Sequence, residues 1–263
     1  MDSTASTGLA TLCVDCGGGG IKTALLRADG TRSEILRTPV TYPFAPADLL
    51  STVADHAKQL GNFDRITLGL PGMIRHGTVA YTPHYIRRAG PHTRVLPPLE
   101  ESWNGLDLQT ALEVRFRVPT LVINDAELAA ASVVSGHGLE LVLTLGTGLG
   151  SAFLDNGTLA PHLEISHAPM SWGLVYDDVV GESERLRLGD GAWSRRILRA
   201  VESLWPVFRW DVLYLGGGNA ARITPQVRAK LPGVHFVANM AGVDGGARAW
   251  ELALPHPTTV ELS

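Results

Sequence analysis

The sequence is poor in cysteine and has no long apolar run. Two cysteines in 263 residues exclude a scaffold built from disulfide bonds. No apolar segment approaches the roughly 20 residues needed to cross a bilayer. The first ten residues lack the basic and apolar regions of a secretory signal. We therefore expect a soluble, cytoplasmic protein with no membrane partner.

The sequence also lacks an excess of positive charge. Its net charge is −4, so no global basic field draws the chain to nucleic acid. Arginines do occur in local pairs, at Arg87-Arg88, Arg185 with Arg187, and Arg195-Arg196. Such pairs belong either to a solvated surface or to a site for a phosphorylated ligand, because guanidinium matches phosphate geometry.

The apolar content, in contrast, is ample at 45%, and only 18% of the residues are charged, which excludes a disordered chain. Strand candidates alternate with helix candidates, a pattern typical of an α/β protein. The order strand, glycine-rich turn, strand, hairpin turn begins near Ala10 and again near Leu141. This repeat, about 130 residues apart, predicts two related α/β halves. Helices are predicted over residues 47–60, 107–116, 126–134, 192–204 and 241–254, and residues 255–263 are predicted to be a tail.

Three predicted strands end in glycine clusters, at Gly17–Gly20, Gly146–Gly150 and Gly216–Gly218. Glycine lets backbone N–H groups approach a phosphate closely. None of the clusters matches the P-loop pattern or a G-x-G-x-x-G dinucleotide motif. One such turn alone is more often structural, whereas three together favour a cleft for a nucleotide or a polyphosphate.

Two carboxylates follow predicted strands. Asp125 lies between a strand and a helix, where it serves either as a helix N-cap or as a general base that takes a proton from a substrate hydroxyl. Asp15 precedes the first glycine cluster, where a carboxylate beside phosphate oxygens suits hydrated Mg²⁺.

Six short motifs in register resemble those of the ROK sugar kinases, in particular the polyphosphate glucokinase-like branch. They extend over about residues 10 to 250. The matching segments are Asp15-Cys16-Gly17-Gly18-Gly19-Gly20-Ile21-Lys22, Gly69-Leu70-Pro71-Gly72, Ile123-Asn124-Asp125-Ala126, Leu145-Gly146-Thr147-Gly148-Leu149-Gly150-Ser151-Ala152, Glu164-Ile165-Ser166-His167 and Gly216-Gly217-Gly218-Asn219.

The resemblance implies an α/β, actin/hexokinase-like (ribonuclease H-like) fold with two lobes. Residues 1–120 and the closing helix at about 241–254 are expected to form the smaller lobe, and residues 121–240 the larger one. The implied reaction transfers a phosphoryl group from ATP and/or inorganic polyphosphate to the 6-hydroxyl of a sugar, with glucose the expected acceptor. A homodimer is also expected.

The resemblance assigns a role to each motif. Asp125 is expected to be the catalytic base, with Asn124, Glu164 and His167 on the other sugar hydroxyls. Asp15 is expected to hold Mg²⁺ through water. The residues expected to hold the phosphate donor or nucleotide are Gly17, Gly18, Gly19, Gly20, Lys22, Gly146, Thr147, Gly148, Gly150, Gly216, Gly217 and Gly218.

The sequence departs from the family at several positions. Gly19 replaces a threonine, and Ser166 replaces a glycine. Residues 168–178 lack the cysteines of the family's zinc motif, so no zinc is expected, and Cys13 and Cys16 are interpreted as buried thiols. Where relatives carry an asparagine for the sugar, Tyr85 follows Thr82-Pro83-His84. Either Tyr85 contacts the sugar, or this loop is displaced and it never reaches the pocket.

Two other functions stay open on the sequence. One is a catalytically weak or silent sugar-binding protein of the same fold, and the other is a kinase for a different sugar. A DNA-binding repressor is not expected, because the first predicted strand begins within about ten residues of Met1 and leaves no room for a helix-turn-helix.

Overall fold

The protein is described here by a computed structural model, which covers residues 8–90, 93–171, 173–237 and 242–253. Its first five-stranded sheet has the order β3-β2-β1-β4-β8. The strands are β1 (Thr11–Gly17), β2 (Gly20–Leu26), β3 (Leu36–Pro39), β4 (Arg65–Leu70) and β8 (Thr120–Asn124). Strand β2 is antiparallel to both of its neighbours, β1 and β3, whereas β4 and β8 run parallel to β1.

The second sheet repeats this arrangement with the order β11-β10-β9-β14-β15. Its strands are β9 (Leu139–Leu145), β10 (Leu149–Asp155), β11 (Thr158–Leu159), β14 (Val212–Gly216) and β15 (Val234–Phe236). Strand β10 is again antiparallel to both of its neighbours, β9 and β11, whereas β14 and β15 run parallel to β9. The two related α/β halves predicted from the repeated motif are therefore confirmed.

Smaller strands and helices complete the chain. The strands are β5 (Met73–Arg75), β6 (Thr78–Tyr81), β7 (Leu106–Asp107), β12 (Pro169–Ser171) and β13 (Leu174–Val175). The helices are α1 (Pro46–Leu60), α2 (Pro97–Trp103), α3 (Leu108–Phe116), α4 (Asp125–Ala130), α5 (Tyr176–Val180), α6 (Glu182–Phe208), α7 (Pro225–Arg228) and α8 (Ala249–Ala253), with 3-10 turns at Ile165–His167, Ala220–Arg222 and Gly242–Gly245. No helix in the described part of the chain, α6 included, has the length and hydropathy needed to span a membrane.

Several element bounds differ from the predicted ones. Strand β8 pairs with β4, so the first sheet continues past residue 120, where we placed the boundary between lobes. Helix α4 ends at Ala130, earlier than predicted. Helix α6 starts ten residues earlier than predicted, and it is broken at Gly189, whose φ of 75° is not helical.

The prediction of one closing helix over 241–254 is wrong. The described residues there form the turn Gly242–Gly245 and the short helix α8. Gly245 lies against the carbonyl of Leu128, and Gly246 against the thiol of Cys13, so closely that a Cβ would collide at either position. Glycines that permit this approach also disfavour a continuous helix.

The closing segment fills the space between the two sheets. Val243 and Leu252 belong to an apolar cluster that also includes Cys13 from the first sheet and Val142 and Leu154 from the second. Two further apolar clusters lie one in each half of the molecule. Residues at the carboxyl ends of β1, β8 and β9 line a common cleft, which the glycine turns after β1 and β9 also border.

Candidate active site

The cleft between the two halves contains a cavity of about 170 Å³. It brings together residues that are more than 150 positions apart in the chain. Its lining comprises Gly17, Gly18, Pro71, Gly72, Pro83, His84, Asn124, Asp125, Thr144, Gly146, Thr147, Gly148, Leu149, Gly150, Glu164, Ser166 and Asp177. Five of the six sequence motifs thus contribute residues to one cavity, and the sixth, Gly216–Asn219, contributes none.

Asp125 lies at the start of α4, on the cavity wall. Its Oδ1 accepts a 3.0 Å hydrogen bond from the N–H of Ala126. Burial, reinforced by the negative charges of Asp15 and Glu164, raises the pKa of Asp125 to about 7. A carboxylate that titrates near neutral pH has the proton affinity expected of a general base.

The helix N-cap is Asn124, not Asp125. The Asn124 side chain accepts from the N–H of Ala126 at 2.7 Å and donates to the carbonyl of Gly72 at 2.8 Å. Glu127 closes a capping box by accepting from the N–H of Asn124 at 2.9 Å. These bonds fix the β8–α4 corner and leave the Asp125 carboxylate directed at the cavity.

A buried histidine that the sequence analysis did not single out lies behind Glu164. The side chain of His162 is 2% exposed, with Nδ1 3.2 Å from a Glu127 oxygen and Nε2 3.5 Å from a Glu164 oxygen. Neither approach has hydrogen-bond angles, so the attraction is electrostatic. Burial opposes the charge on His162, but the two carboxylates outweigh it and raise its pKa to about 9.

Glu164 is therefore held from two sides. Ser166, the residue that departs from the family glycine, donates to Glu164 Oε1 at 2.5 Å. His162 and Ser166 together lower the pKa of Glu164, against the effect of its burial. Ser166 thus adds a hydrogen bond that a glycine cannot provide.

Two tyrosines donate hydrogen bonds to the first glycine turn, Gly17–Gly20. Tyr42 donates to the carbonyl of Gly18 at 2.7 Å, and Tyr85 donates to the carbonyl of Gly17 at 3.0 Å. Tyr85 is fully buried and packs on Phe44 and Trp103, with ring centroids at 5.0 and 5.2 Å.

Tyr85 is not among the described residues that line the cavity, which agrees with the second of the two alternatives, that it does not reach the pocket. The neighbouring residue, His84, lines the cavity instead, and its ring lies against Gly18. Residues 83–86 form a turn, and within it His84 rather than Tyr85 enters the cavity.

A carboxylate that the sequence analysis did not identify lies against the second glycine turn, Gly146–Gly150. Asp177, at the start of α5, accepts a 2.7 Å hydrogen bond from the N–H of Leu149. Its carboxylate lies so close to Gly148 that a Cβ at that position would stand 2.5 Å from Oδ1. A side chain at position 148 would therefore displace the Asp177 carboxylate from the turn.

The third glycine turn supports the second without lining the cavity. Gly217, with a φ of 86°, packs directly on the backbone of Leu145. The side chain of Asn219 donates to the carbonyl of Gly146 at 3.1 Å. The remaining residues predicted for the phosphate donor that lie outside this cavity are Gly19, Gly20, Lys22, Gly216, Gly217 and Gly218.

Asp15 and Lys22 form an ion pair on the paired strands β1 and β2. The Lys22 Nζ lies 3.0 Å from Asp15 Oδ2. The Asp15 side chain is mostly buried, and its charge contributes to the raised pKa of Asp125. One Asp15 oxygen is thus paired with Lys22, and Asp15 is not among the described residues that line the cavity.

His167 lies in an adjoining cavity rather than beside Asp125. Its exposed ring packs edge-on against Tyr81, with centroids 6.0 Å apart. That cavity, also about 170 Å³, shares five lining residues with the first, namely Pro83, His84, Thr147, Gly148 and Asp177. The two cavities are therefore continuous along the cleft.

Both cysteines are buried in the interior of the protein. Cys13 and Cys16 are free and buried, which raises the pKa of each thiol well above its ordinary value and confirms the interpretation as buried thiols. Across the described ranges, no group of three or more His, Cys, Asp or Glu side chains is placed to hold a metal ion.

The fold and the cleft define a member of the ROK family, whose family model matches residues 11–161. The chain belongs to this family, and it is a phosphotransferase with the predicted α/β, actin/hexokinase-like fold. A solved ROK glucokinase from Streptomyces griseus, in complex with glucose and AMPPNP, has the same fold, with a TM-score of 0.69 at 17% identity over 93% of this chain and 99% of that one.

Two relatives are more similar in sequence. The polyphosphate glucokinase of Mycobacterium tuberculosis H37Rv is 27% identical over 258 residues, 90% of this chain and 89% of the relative. The inorganic polyphosphate/ATP-glucomannokinase of Arthrobacter sp. strain KM is also 27% identical, and its structure covers 94% of this chain and 99% of its own with a TM-score of 0.74. Both names agree with the branch that the motifs indicated.

Proposed function

We propose that the protein transfers a phosphoryl group from ATP or inorganic polyphosphate to the 6-hydroxyl of a hexose, with glucose as the preferred acceptor. One observation carries the proposal. The Asp125 carboxylate, with its pKa raised to about 7, lines one cavity together with two glycine turns. The proposed base and the backbone of both turns thus border one space, in which an acceptor hydroxyl and a donor phosphate would meet.

In this proposal Asp125 accepts the proton of the sugar hydroxyl as the hydroxyl oxygen attacks the terminal phosphorus. Phosphoryl transfer depends mainly on positioning and charge stabilisation, so a fixed carboxylate is of more value than a strong base. The capping bonds of Asn124 fix the backbone at Asp125, which supports this role.

The other sugar hydroxyls would be held by Glu164 and Asn124, with His167 approaching from the adjoining cavity. The contacts of Glu164 with Ser166 and His162 keep it ionised, and an ionised carboxylate accepts strong hydrogen bonds from hydroxyl groups. His84, rather than Tyr85, would contact the sugar, because it is the residue of the two that lines the cavity.

The donor would lie along the glycine turns. The names of the two most similar relatives described above, a polyphosphate glucokinase and a polyphosphate/ATP-glucomannokinase, support both donors. Mg²⁺ would arrive with the donor and be held by Asp15 through water, since Mg²⁺ usually keeps several waters beside one or two carboxylates. When bound, it would neutralise charge on the phosphate oxygens. Closure of the two proposed lobes would exclude water.

The test is a panel of hexoses assayed with ATP and with polyphosphate, in the presence of Mg²⁺. We expect phosphorylation of glucose, and the panel includes mannose because of the glucomannokinase relative. The assay is repeated with Asp125→Asn and with Asp107→Asn as a matched control, because Asp107 is an exposed helix N-cap on the first half. Absence of transfer to every hexose by a folded protein would leave sugar binding without catalysis as the function.

The expected homodimer is tested by light scattering, and the expected cytoplasmic location by cell fractionation.

A further inference from the structure

The carboxylate of Asp177 occupies a position where a phosphate donor is expected to dock. It accepts the N–H of Leu149 at 2.7 Å and lies against Gly148, inside the second glycine turn. The N–H of Gly146 is also engaged, by the carbonyl of Gly148 at 3.0 Å. Two backbone donors of this turn are therefore already used within the protein.

Other acidic residues near the turn add to the negative charge of Asp177. Asp125 and Glu164 line the same cavity as Asp177, whereas no lysine or arginine is among its described lining residues. Lys22 is paired with Asp15, and Arg87, in the adjoining cavity, donates to the carbonyls of Pro83 and Thr93. Burial, with Glu164 nearby, raises the pKa of Asp177, as expected for a carboxylate with poor solvation and like-charged neighbours.

We propose that Asp177 is a determinant of donor affinity: its negative charge in the second glycine turn opposes the phosphate chain and makes binding depend on the cation that accompanies the donor. This inference rests on the proposed function, because it assumes that the turn receives phosphate. It differs from the role of Asp125, which faces the acceptor.

The charge can be removed with little change in shape. In Asp177→Asn the amide oxygen still accepts from Leu149, so the turn and the start of α5 keep their hydrogen bond. A second variant, Asp177→Ala, removes the charge and also releases the N–H of Leu149. Asp107→Asn is the control, because it removes one negative charge from a carboxylate that likewise accepts a backbone N–H, at Thr110, far from the cavity in the fold.

The experiment measures direct binding of inorganic tripolyphosphate by calorimetry, with and without Mg²⁺, so that it does not depend on turnover. Repulsion of the size typical of partly exposed charges corresponds to about a 5-fold change in affinity. We expect Asp177→Asn to bind metal-free tripolyphosphate about 5-fold more tightly than wild type, with a smaller gain when Mg²⁺ is present. High salt should reduce the difference. Asp107→Asn should match wild type.

Unchanged or weaker binding by both folded Asp177 variants would overturn the inference, and so would an absence of binding by wild type and variants alike. Weaker binding would mean that Asp177 helps to hold the donor. Tighter binding by the variants in a protein that phosphorylates no hexose would instead contradict the proposed function and leave this inference standing. Thermal melts confirm that each variant is folded.

Discussion

The hydroxyl of Tyr85 donates a 3.0 Å hydrogen bond to the carbonyl of Gly17, from beneath the first glycine turn. Tyr42 holds the next carbonyl, that of Gly18, in the same way. A carbonyl that is held by a hydrogen bond fixes the orientation of its peptide plane, and with it the N–H of the same plane. Two aromatic hydroxyls thus set the geometry of a turn that has few side chains of its own.

Tyr85→Phe tests this support. The ring and its packing on Phe44 are retained, while the carbonyl of Gly17 loses the hydrogen bond from the Tyr85 hydroxyl. We expect the free energy of unfolding to fall by about 0.5–1.5 kcal/mol, the usual net contribution of one hydrogen bond. The KM for the donor should rise, with little change in the KM for the sugar. Denaturant melts and steady-state kinetics measure both, and equal effects on the two KM values would argue against a role specific to the turn.

Asp125→Asn tests the proposed base. The amide keeps the size of the side chain and the hydrogen bond from Ala126, but it cannot take up the proton. Turnover should fall by about 10²–10⁴-fold, the usual contribution of a positioned acid–base group. Sugar binding, followed by calorimetry, should be largely retained. Near-normal turnover in the folded variant would remove the assignment.

The pH dependence of the reaction follows from the raised pKa of Asp125. A base must be unprotonated, and the pKa of this carboxyl is about 7, so kcat/KM should decline as the pH drops below about 7. Asp15 is one cause of the raised pKa. Asp15→Asn should therefore move the acidic limb to lower pH, whatever its effect on the maximal rate. A limb that stays in place would mean that another group controls it.

Much of this architecture could be predicted from the sequence because short local patterns indicate it. The glycine clusters mark where strands β1, β9 and β14 end, and the repeat of strand, turn and strand predicts the two matching sheets. Asp125 was identified because it directly follows an apolar strand, at the sheet edge where ligands meet α/β proteins.

What the sequence could not provide depends on side-chain direction and on long-range packing. Nothing local distinguishes His84 from Tyr85 as the residue that enters the cavity. Asp177 is hydrogen-bonded to Leu149, which is 28 positions away in the sequence. His162 lies beside Glu127, which is 35 positions away. A polar residue between apolar ones is the only local sign of His162, and that sign is shared by many surface histidines.

Two buried histidines predict opposite responses of stability to pH. The carboxylates of Glu127 and Glu164 raise the pKa of His162 from 6.5 to about 9, so its charged form stabilises the fold. That contribution is complete below about pH 6.5 and is lost as the pH rises through about 9. His56, between the hydroxyls of Thr23 and Thr38, has its pKa lowered by burial. Its neutral form stabilises the fold above pH 6.5, and this contribution is lost as the pH falls below that value.

Urea unfolding of wild type, His162→Gln and His56→Gln, at several pH values from 5 to 9, separates the two effects. The stability advantage of wild type over His162→Gln should shrink steadily between pH 7 and pH 9. The advantage over His56→Gln should be constant in that interval and shrink between pH 6.5 and pH 5. If the difference between wild type and His162→Gln does not change between pH 7 and pH 9, the histidine is neutral in the folded protein. Glu164 would then be held by Ser166 alone.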